Sequence, residues 1–489
     1  MELTVIDRRY ALRRKRNELA KIIRYKARFV ARGFKQKFGI DYHETFAPTV
    51  RPSSLRLILA IAASQPNTAI RQSDVKNAYL NAYLEDGEEI YMELPEHYED
   101  FRTIPPKFRD RDPVLKLNKP LYGTKQGAHN WYRDLSRTLT GLGFTICQAD
   151  EAVFYLFDGD IFIIVAAATD DFTIVADSDK TVDHFLTEIN KHFETVDLGP
   201  INWLLGMSVE RDPTNLSIRL GQEAYIDQIV SRFSLENART SVTPLEPGVD
   251  LSYDSPSVSN KVLTTVEKKT YREIIGSLMY LSIMTRPDIT FAISTLSQFL
   301  EEPRTTHMDA AKRVIRYLKG TKALRLTLGG SGHTITGFSD ADWASQMHRH
   351  SISGFSFLFG SGAISWSSKK QPLITLSSTE AEYVALTHSS KDIIWIQKLL
   401  DELTPIFPSF SKPTTLFCDN QGAIRLSKDS TFHGRTKHID VHFHFIRQTV
   451  NNGHIALKYC PTDNMIADIF TKSLGRIKFE KFRSLLGVK

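Results

Sequence analysis

At 489 residues, the length predicts about three domain-sized units. Hydrophobic residues at 42% and charged residues at 24% are ordinary values for a globular protein with a sizeable core. Three widely separated cysteines, Cys147, Cys418 and Cys460, argue against a disulfide scaffold or a cysteine zinc site and for a reducing compartment. The longest notable apolar run, Ile161–Ala168, is too short to span a bilayer, and the N-terminus lacks the apolar core of a signal peptide. We therefore expect an intracellular protein that does not act at a membrane.

The net charge of +6 is unevenly distributed along the chain. Residues 1–40 contain 13 Lys or Arg against 3 Asp or Glu, which leaves 49 basic and 53 acidic residues for the rest of the chain. A basic segment on a near-neutral body is typical of a phosphate-binding surface. A solvated arm explains the charge equally well, so charge alone does not decide between the two.

Changes in residue composition and spacing along the chain predict its domain boundaries. The first half mixes short strands and helices around isolated acidic residues. A loop rich in Pro and Ser at Pro244–Asn260 then leads into a stretch, 266–319, whose apolar residues recur at helical spacing. A glycine-rich turn closes this stretch. We expect a first domain at 1–235, a helical second domain at 236–329 and a third at 330–489.

The C-terminal region alternates strands and helices. Its pattern predicts, in chain order, a strand leading into Asp340, a hairpin, a helix, two further strands and a last helix. These segments are Thr334–Ser339, Ser353–Trp366, a helix capped by Ser378, Thr415–Cys418, Ile455–Tyr459 and a helix that holds Asp468. Such alternation is typical of an α/β domain.

Two adjacent acidic residues, Asp170 and Asp171, interrupt an apolar stretch between Ile163–Ala168 and Phe172–Val175. Apolar strands on either side of such a pair predict a hairpin with carboxylates at its tip. Paired acids in a turn are, on their own, usually just solvated. Asp74, which ends an earlier strand-like segment, offers a third carboxylate. Two hard cations about 3.5–4 Å apart need carboxylates from different elements, and Asp74 and Asp170 meet this need if their strands are neighbours.

Several further blocks of sequence accompany these acids. They are Lys26–Phe34 (KARFVARGF), Asp41–Pro48 (DYHETFAP), Asp74–Leu80 (DVKNAYL), Leu121–Gln126 (LYGTKQ) with Trp131-Tyr132, Asp197–Gly199 (DLG) and Leu204–Gly206 (LLG). In this order and at about this spacing, the blocks resemble the reverse transcriptases of copia-type retrotransposons. The resemblance extends over nearly the whole chain and implies a polymerase with fingers, palm and thumb that copies RNA into DNA.

The resemblance also implies roles for individual residues. Asp74 and Asp170 would ligate two Mg²⁺ ions, with Mn²⁺ as a substitute, and Asp171 lies beside them in the same motif. Tyr79 would lie under the incoming sugar and exclude a 2′-hydroxyl, although a core aromatic on a helix is an alternative. Gln126 would touch the incoming nucleotide or the template.

Two basic residues of the first block receive a role as well. Lys26 and Arg28 would lie in the fingers and neutralise the triphosphate, which suits the basic N-terminal segment. Contacts to the phosphate backbone of the nucleic acid are an equally good explanation of the same two residues.

One position departs from the family's pattern. Where the family has Tyr-x-Asp-Asp at the hairpin, this chain has Ala168-Thr169-Asp170-Asp171. The metal-binding acids are retained, whereas the aromatic residue that would contact the primer end is absent. We expect the change to affect efficiency and fidelity more than the chemistry.

A second set of acids, Asp340, Glu382, Asp419 and Asp468, is distributed over four predicted elements of the C-terminal region. Four carboxylates in such an α/β region can form a two-metal nuclease site. The blocks around them are Ser339–Trp343 (SDADW), Gly362–Trp366 (GAISW), Leu376–Tyr383 (LSSTEAEY), Asp419–Gln421 (DNQ), Arg435–Asp440 (RTKHID) and Ala467-Asp468. They resemble the RNase H domain of the same retrotransposons, which implies metal ligation by the four acids. Glu382 is preferred over Glu380 because the apolar helix face continues directly after it.

Three nearby histidines, His438, His442 and His444, suggest a zinc site as an alternative use of this region, since the first two are four residues apart. Beyond Asp440, neither a cysteine nor a pair of acids completes a tetrahedral set of ligands. We therefore favour a structural or RNA-facing role for these histidines.

The fold class expected from these patterns is α+β and α/β multidomain, with a fingers–palm–thumb polymerase followed by an RNase H-like α/β domain. Its expected partners are an RNA template, a DNA primer, the RNA/DNA hybrid and deoxynucleoside triphosphates, with the capsid and integrase proteins of the retrotransposon in a cytoplasmic virus-like particle or the nucleus. The alternative is a decayed or co-opted remnant that binds nucleic acid without catalysis. Ala168 and an N-terminus that starts close to the fingers motif favour this alternative.

Overall fold

The structure, a computed structural model, describes residues 4–16, 22–100, 102–108, 112–330, 332, 334–343, 350–404, 412–428 and 440–489. The chain forms two units, one made of residues 1–50 and 71–200 and the other of residues 51–70 and 201–489. In the described ranges, we find no helix with the length and apolar character needed to cross a bilayer.

The described residues form strands in both units. In chain order they are β1 (Val5–Ile6), β2 (Arg8–Arg16), β3 (Ile22–Ala31), β4 (Ala69–Val75), β5 (Tyr91–Glu93), β6 (Val114–Lys116), β7 (Thr145–Ile146), β8 (Val153–Asp158), β9 (Ile161–Ala168), β10 (Asp171–Ala176), β11 (Thr195–Pro200), β12 (Trp203–Leu204), β13 (Met207–Asp212), β14 (Ser217–Gly221), β15 (Leu326–Gly329), β16 (Ile335–Asp342), β17 (Ile352–Phe359), β18 (Gly362–Lys370), β19 (Thr414–Cys418) and β20 (Ile455–Tyr459).

The α-helices are concentrated in the second unit. In chain order they are α1 (Pro52–Ala63), α2 (Ala78–Asn81), α3 (Gly127–Gly141), α4 (Asp179–Ile189), α5 (Glu223–Arg232), α6 (Thr265–Met284), α7 (Thr290–Ser297), α8 (Thr305–Gly320), α9 (Ser378–Glu402), α10 (Gln421–Lys428), α11 (Asp440–Asn451) and α12 (Arg476–Leu485). Together with the strands, they confirm the predicted α+β and α/β multidomain class.

A six-stranded sheet in the order β11-β4-β10-β9-β8-β7 forms the centre of the first unit. β9 and β10 are antiparallel, with Asp171 opposite Ala168, so the predicted acidic hairpin is confirmed. The central residues of both strands are mostly apolar and are buried on consecutive positions, so both faces of the hairpin are covered, as is typical of a strand in the middle of a core. β4 is the neighbour of β10 in this sheet. The strand of Asp74 therefore lies beside the hairpin, as the predicted metal site requires.

The helical stretch predicted at 266–319 is confirmed as α6, α7 and α8, which contribute to one apolar core of the second unit. α6 begins with a capping box, in which the Thr264 hydroxyl accepts from the Glu267 amide and the Glu267 carboxylate accepts from the Thr264 amide. Such a cap contributes about 1 kcal/mol to helix stability. The Pro- and Ser-rich segment 244–260 contains neither helix nor strand, as predicted.

His307, at the start of α8, anchors this Pro- and Ser-rich segment. Its Nδ1 accepts a hydrogen bond from the Arg304 amide (2.9 Å), so Nε2 carries the proton and donates to the Leu251 carbonyl (2.9 Å). The ring is fully buried and stacks on Phe299 with 4.0 Å between centroids. Burial lowers the pKa of His307, because a second proton would charge a ring without access to water.

This environment predicts loss of stability in acid. Since the pKa of His307 is lower in the folded chain than the value of about 6.5 in the unfolded chain, the unfolded state binds the proton first as the pH falls below about 6.5. Other groups titrate in the same range and shift both proteins alike, so the effect of His307 is a difference: the free energy of unfolding of the wild type should fall relative to that of His307→Gln as the pH goes from 7 to 5. Urea unfolding at both pH values measures the difference. His444→Gln, at an exposed histidine, serves as the control, and the same change with pH in all three proteins would contradict the role of His307.

A five-stranded mixed sheet in the order β18-β17-β16-β19-β20 forms the C-terminal part of the second unit. β16, β17 and β18 are antiparallel, whereas β16, β19 and β20 run parallel. The predicted hairpin is confirmed as β17 and β18. Because β16 and β19 are parallel neighbours, their carboxyl ends meet at one edge of the sheet, where Asp340 and Asp419 lie.

Two details of this region differ from the predictions. Ser377, not Ser378, caps α9, because its hydroxyl accepts from the Glu380 amide at 3.2 Å. Asp468 lies in a short 3₁₀ helix, Ile466–Phe470, instead of an α-helix. This turn is almost wholly buried and ends at Thr471, and α12 follows after it.

Two candidate metal-binding active sites

Asp74, Asp170 and Asp171 are placed by three neighbouring pieces of backbone in the first unit. Asp74 is the penultimate residue of β4, and Asp170 lies in the turn between β9 and β10, where Thr169 has φ of 63°. The Val75 amide donates to the Asp170 carbonyl at 2.8 Å, which joins β4 to the turn. The Trp131 indole donates to the Thr169 carbonyl at 2.8 Å. These two bonds fix a turn whose backbone conformation is unfavourable for a β-branched residue.

Asp171 experiences the charges of the other two acids. Burial, followed by the negative charges of Asp170 and Asp74, raises the pKa of Asp171 to about 6. A cation bound beside these carboxylates would offset both the burial and the repulsion. Oxygen ligands on separate strands suit a hard ion such as Mg²⁺ or Mn²⁺, so the residues present fit the metal that the sequence implies.

A cleft of about 650 Å³ contains all three acids and a row of basic side chains. β2 and β3 pair with Arg13 opposite Lys26, so Arg13, Arg24, Lys26 and Arg28 share one face of the ribbon. All four basic residues line the cleft. Lys26 and Arg28, the two basic residues singled out in the sequence, therefore lie in the same cleft as the acids, while Arg13 and Arg24 were missed. The cross-strand register that adds them is not readable from the local motif.

Tyr79 packs beside a residue that lines the cleft, whereas Gln126 is buried outside this lining. Tyr79 is half-buried on α2, with its ring centroid 4.8 Å from that of Tyr122, and Tyr122 lines the cleft. Burial and, second, the charge of Asp170 raise the pKa of the Tyr79 phenol. Gln126 is fully buried, accepts from the Gln36 amide at 3.0 Å and donates to the Asp41 carbonyl at 2.8 Å. The structure does not place Gln126 among the residues that line the cleft.

The four C-terminal acids meet at the edge of the five-stranded sheet. Ligand oxygens of Asp340, Asp419 and Asp468 lie within 4.8 Å of one another. A second group at the same spacing consists of Glu382, Cys418 and Asp419, so Asp419 joins the two. We call these five residues the nuclease cluster, after the activity that the sequence predicts for them. Asp74, Asp170 and Asp171 do not form a group this tight in the described part of the chain.

Hydrogen bonds orient the acids of the nuclease cluster. Glu382 Oε1 accepts from the Ala341 amide at 3.2 Å, and Thr462 Oγ1 donates to Asp419 at 2.8 Å. The buried hydroxyl of Thr471 donates to Asp340. Glu380, in contrast, accepts from the Leu376 amide at 2.7 Å at the start of α9. The structure therefore places Glu382 in the cluster, and Glu380 turns back toward the start of its own helix.

Burying the acids of this cluster close together is electrostatically unfavourable. Burial, with the nearby charges of Asp468 and Asp419, raises the pKa of Asp340 to about 7 against the opposing effects of Lys472 and Thr471. Burial and the charge of Asp340 raise the pKa of Glu382 well above its usual value. A divalent cation would offset this repulsion, and the donor set of carboxylate oxygens fits Mg²⁺ or Mn²⁺. Burial also raises the pKa of the Cys418 thiol, which makes it a weak ligand beside them.

Two lysines that sequence analysis did not single out contact Asp468. Lys478 Nζ donates to Asp468 Oδ2 at 2.7 Å, and Lys472 Nζ lies 2.9 Å from Oδ1. Lys472 Nζ is also 3.7 Å from Asp340 Oδ2. The spacing of four residues between Asp468 and Lys472 is a signal that was available in the sequence.

Of the three histidines considered as zinc ligands, His438 lies outside the described residues, and so does the side chain of His442. His444 is exposed on α11.

Comparison with known proteins identifies the family. Residues 2–247 match the family described as reverse transcriptase (RNA-dependent DNA polymerase). The retrovirus-related Pol polyprotein from transposon TNT 1-94 of Nicotiana tabacum is 39% identical over 482 residues, which are 98% of this chain. The putative transposon Ty5-1 protein of Saccharomyces cerevisiae is 31% identical over 324 residues, which are 65% of this chain and 100% of that protein. The chain belongs to the copia-type retrotransposon reverse transcriptases. The resemblance predicted from the motifs is confirmed.

The reverse transcriptase chain spans 35% of the length of the tobacco polyprotein. Among solved structures, the foamy viral protease-reverse transcriptase in complex with RNA/DNA hybrid aligns with 89% of this chain and 49% of its own. The TM-score is 0.47 and the sequence identity 10%, a likeness too slight to assign a role to any residue.

Proposed function

We propose that the chain is an RNA-directed DNA polymerase with RNase H activity that transfers phosphoryl groups with two metal ions at each site. The observation that carries the proposal is the cleft in which Asp74, Asp170 and Asp171 face four basic side chains, in a chain of the reverse transcriptase family. Within it, we assign residues 1–235 to fingers and palm, 236–329 to a thumb or connection, and 330–489 to an RNase H-like domain.

In the polymerase site, Asp74, Asp170 and Asp171 would hold Mg²⁺, which when bound neutralises charge on the transferring phosphoryl group. Lys26 and Arg28 would bind the triphosphate of the incoming deoxynucleotide. Arg13 and Arg24 extend the same basic row, and fixed cations stabilise the charge that develops on the departing pyrophosphate. The primer 3′-hydroxyl is the attacking group.

In the nuclease cluster, Asp340, Glu382, Asp419 and Asp468 would hold the ions that assist hydrolysis of the RNA strand of a hybrid. Recognition would depend on backbone shape and 2′-hydroxyl groups, with little preference for sequence. The two activities belong together chemically, because the hybrid made by the polymerase is the substrate of the nuclease. We further propose that the chain works in a cytoplasmic particle with the capsid and integrase proteins of its element.

A second candidate function is nucleic-acid binding by a remnant without catalysis. Ala168, in place of the family's tyrosine, favours it. The convergence of carboxylates from four separate elements on one site favours catalysis, because two metal ions need ligands from several elements.

Primer extension on an RNA template separates the two candidates. The wild-type protein should lengthen a labelled DNA primer with the four deoxynucleoside triphosphates in Mg²⁺ or Mn²⁺. A protein that retains the primer–template duplex in a gel-shift assay but adds no nucleotide with either ion would be the remnant, and the polymerase proposal would be overturned.

Tyr79 gives a prediction about substrate choice. If its ring excludes a 2′-hydroxyl, Tyr79→Val should lower discrimination against ribonucleotides by about 10- to 200-fold, the range that a small steric change in a pocket produces. Single-nucleotide incorporation of dCTP and CTP measures this ratio. Tyr83→Val, at an exposed tyrosine, should leave it unchanged. Lower thermal stability of Tyr79→Val with unchanged discrimination would show that Tyr79 is a packing residue.

A further inference from the structure

The nuclease cluster contains a cation of its own. The ammonium of Lys472 lies between two acids, 2.9 Å from Asp468 Oδ1 and 3.7 Å from Asp340 Oδ2. Asp468 and Asp340 are among the acids whose oxygens lie within 4.8 Å of one another. An ammonium in this position interacts with the same oxygens that a bridging divalent ion would use.

We propose that Lys472 is a built-in competitor for the divalent cation of the nuclease cluster, so that an ion reaches Asp340 and Asp468 only by displacing this lysine. The inference rests on the proposed RNase H function and adds a control on metal loading. Lys472 acts through Asp340 and Asp468, the acids that would hold the ion, and is therefore a positioning residue.

The backbone keeps this ammonium near the acids. Lys472 follows Asp468 by four residues, and its amide donates to the Asp468 carbonyl at 3.2 Å. The intervening Thr471 donates its hydroxyl to Asp340 and is fully buried, which fixes the turn on both sides. A tethered ammonium has a high effective concentration at the site, because it cannot diffuse away when an ion leaves.

A cavity beside Lys472 can receive its side chain when an ion displaces it. Its side chain is 36% exposed, and it lines a cavity of about 250 Å³ together with Asp250 and Asp342. The cavity that Lys472 lines thus contains two further carboxylates. The exchange of partners therefore does not leave an ammonium buried without a counter-charge, a situation that would be costly.

Lys478 provides a matched control within the same cluster. It donates to the other oxygen of Asp468 at 2.7 Å and to the Thr462 carbonyl at 3.0 Å. Lys478 contacts Asp468 and Thr462, whereas Lys472 lies between Asp468 and Asp340, so removal of Lys478 deletes one positive charge and leaves the contact of Lys472 with both acids in place. Comparing the two variants distinguishes competition for the position between Asp340 and Asp468 from the general effect of removing one positive charge.

Manganese binding tests the proposal directly. We would titrate Mn²⁺ into the 489-residue chain, with electron paramagnetic resonance of free Mn²⁺ as the readout, in an Asp74→Asn, Asp170→Asn background that removes ligands of the polymerase site. Lys472→Gln should bind Mn²⁺ at least about tenfold more tightly than the parent, the order expected for loss of one nearby competing charge, and Lys478→Gln should change affinity less. Lys472→Arg, which keeps the charge, should stay near the parent value.

Thermal unfolding gives a second readout. Without its counter-charge, Lys472→Gln should have a lower Tm than the parent in EDTA and a larger rise in Tm when Mn²⁺ is added. Equal or weaker Mn²⁺ binding by Lys472→Gln, or equal effects of Lys472→Gln and Lys478→Gln, would overturn the proposal. If Lys472→Gln does not fold, a tenfold change in Lys472→Arg would overturn it too.

Measuring cleavage of an RNA/DNA hybrid distinguishes failure of the competitor proposal from failure of the proposed nuclease function. Cleavage by the wild type with unchanged Mn²⁺ affinity in Lys472→Gln would reject the competitor and retain the nuclease. Absence of both cleavage and Asp340-dependent Mn²⁺ binding would reject the nuclease function itself, and with it the competitor.

Discussion

Asp170→Asn is expected to reduce primer extension on an RNA template by about 10³-fold or more while hybrid cleavage by the same protein continues. Asn keeps the size of the side chain and one of its oxygens but removes the negative charge that would hold the metal ion. The Asp170 backbone accepts from the Val75 amide, and the substitution leaves this bond intact. The loss is therefore expected in the rate of nucleotide addition and not in the fold. Steady-state single-nucleotide addition, with thermal unfolding alongside, measures both.

A matched control lies at the other end of the same hairpin. Asp160 is exposed and immediately precedes β9, so Asp160→Asn removes one carboxylate from the hairpin without changing the cleft. It should extend primers like the wild type. Extension by Asp170→Asn within a few-fold of the wild type would contradict the assignment of Asp170 as a metal ligand.

The second large effect is expected at the nuclease cluster, where Asp340→Asn should abolish cleavage of the RNA strand and leave primer extension unchanged. Asp340 is almost wholly buried beside Asp468 and Asp419, and burial, with the charges of these two acids, raises its pKa to about 7. A neutral Asn at this position relieves repulsion, so the variant should be at least as stable as the wild type in EDTA. Loss of cleavage would then report lost metal ligation.

The measurement uses an RNA strand labelled at its 5′ end and annealed to DNA. Asp401→Asn, at an exposed acid near the end of α9 that pairs with Lys412, should cleave normally and serves as the control. Wild-type cleavage rates in Asp340→Asn would contradict the assignment of Asp340 as a metal ligand.

The parts of the fold that sequence analysis predicted correctly are those with strong local signals. Apolar runs interrupted by Asp170 and Asp171 predicted the hairpin, and helical spacing predicted α6 to α8. The predicted C-terminal strands and the helix α9 are also confirmed, whereas α10 and α11, between β19 and β20, were not predicted. In each confirmed case, the local pattern and the tertiary structure favour the same conformation, so the local pattern sufficed.

Features that depend on contacts distant in sequence were less predictable. The amide of Gln126 bonds to Gln36 and Asp41, about 90 residues away, and nothing in the Leu121–Gln126 motif indicates that these partners bury it. The basic row of the cleft acquires Arg13 and Arg24 only through the register of β2 against β3. Asp468 lies in a 3₁₀ helix where local spacing suggested an α-helix. We attribute the difference to the contacts of this turn, in which the Thr471 hydroxyl donates to Asp340.

The most direct test of the central claim, that one chain makes a hybrid and degrades its RNA strand, is a single reaction with two labels. An RNA template with one fluorophore is annealed to a DNA primer with another, and the wild-type protein is supplied with deoxynucleoside triphosphates and Mg²⁺. The account predicts that the primer lengthens and that the template shortens in the same reaction. A primer and a template that both keep their original lengths in Mg²⁺ and in Mn²⁺, with the duplex bound to the protein, would contradict it.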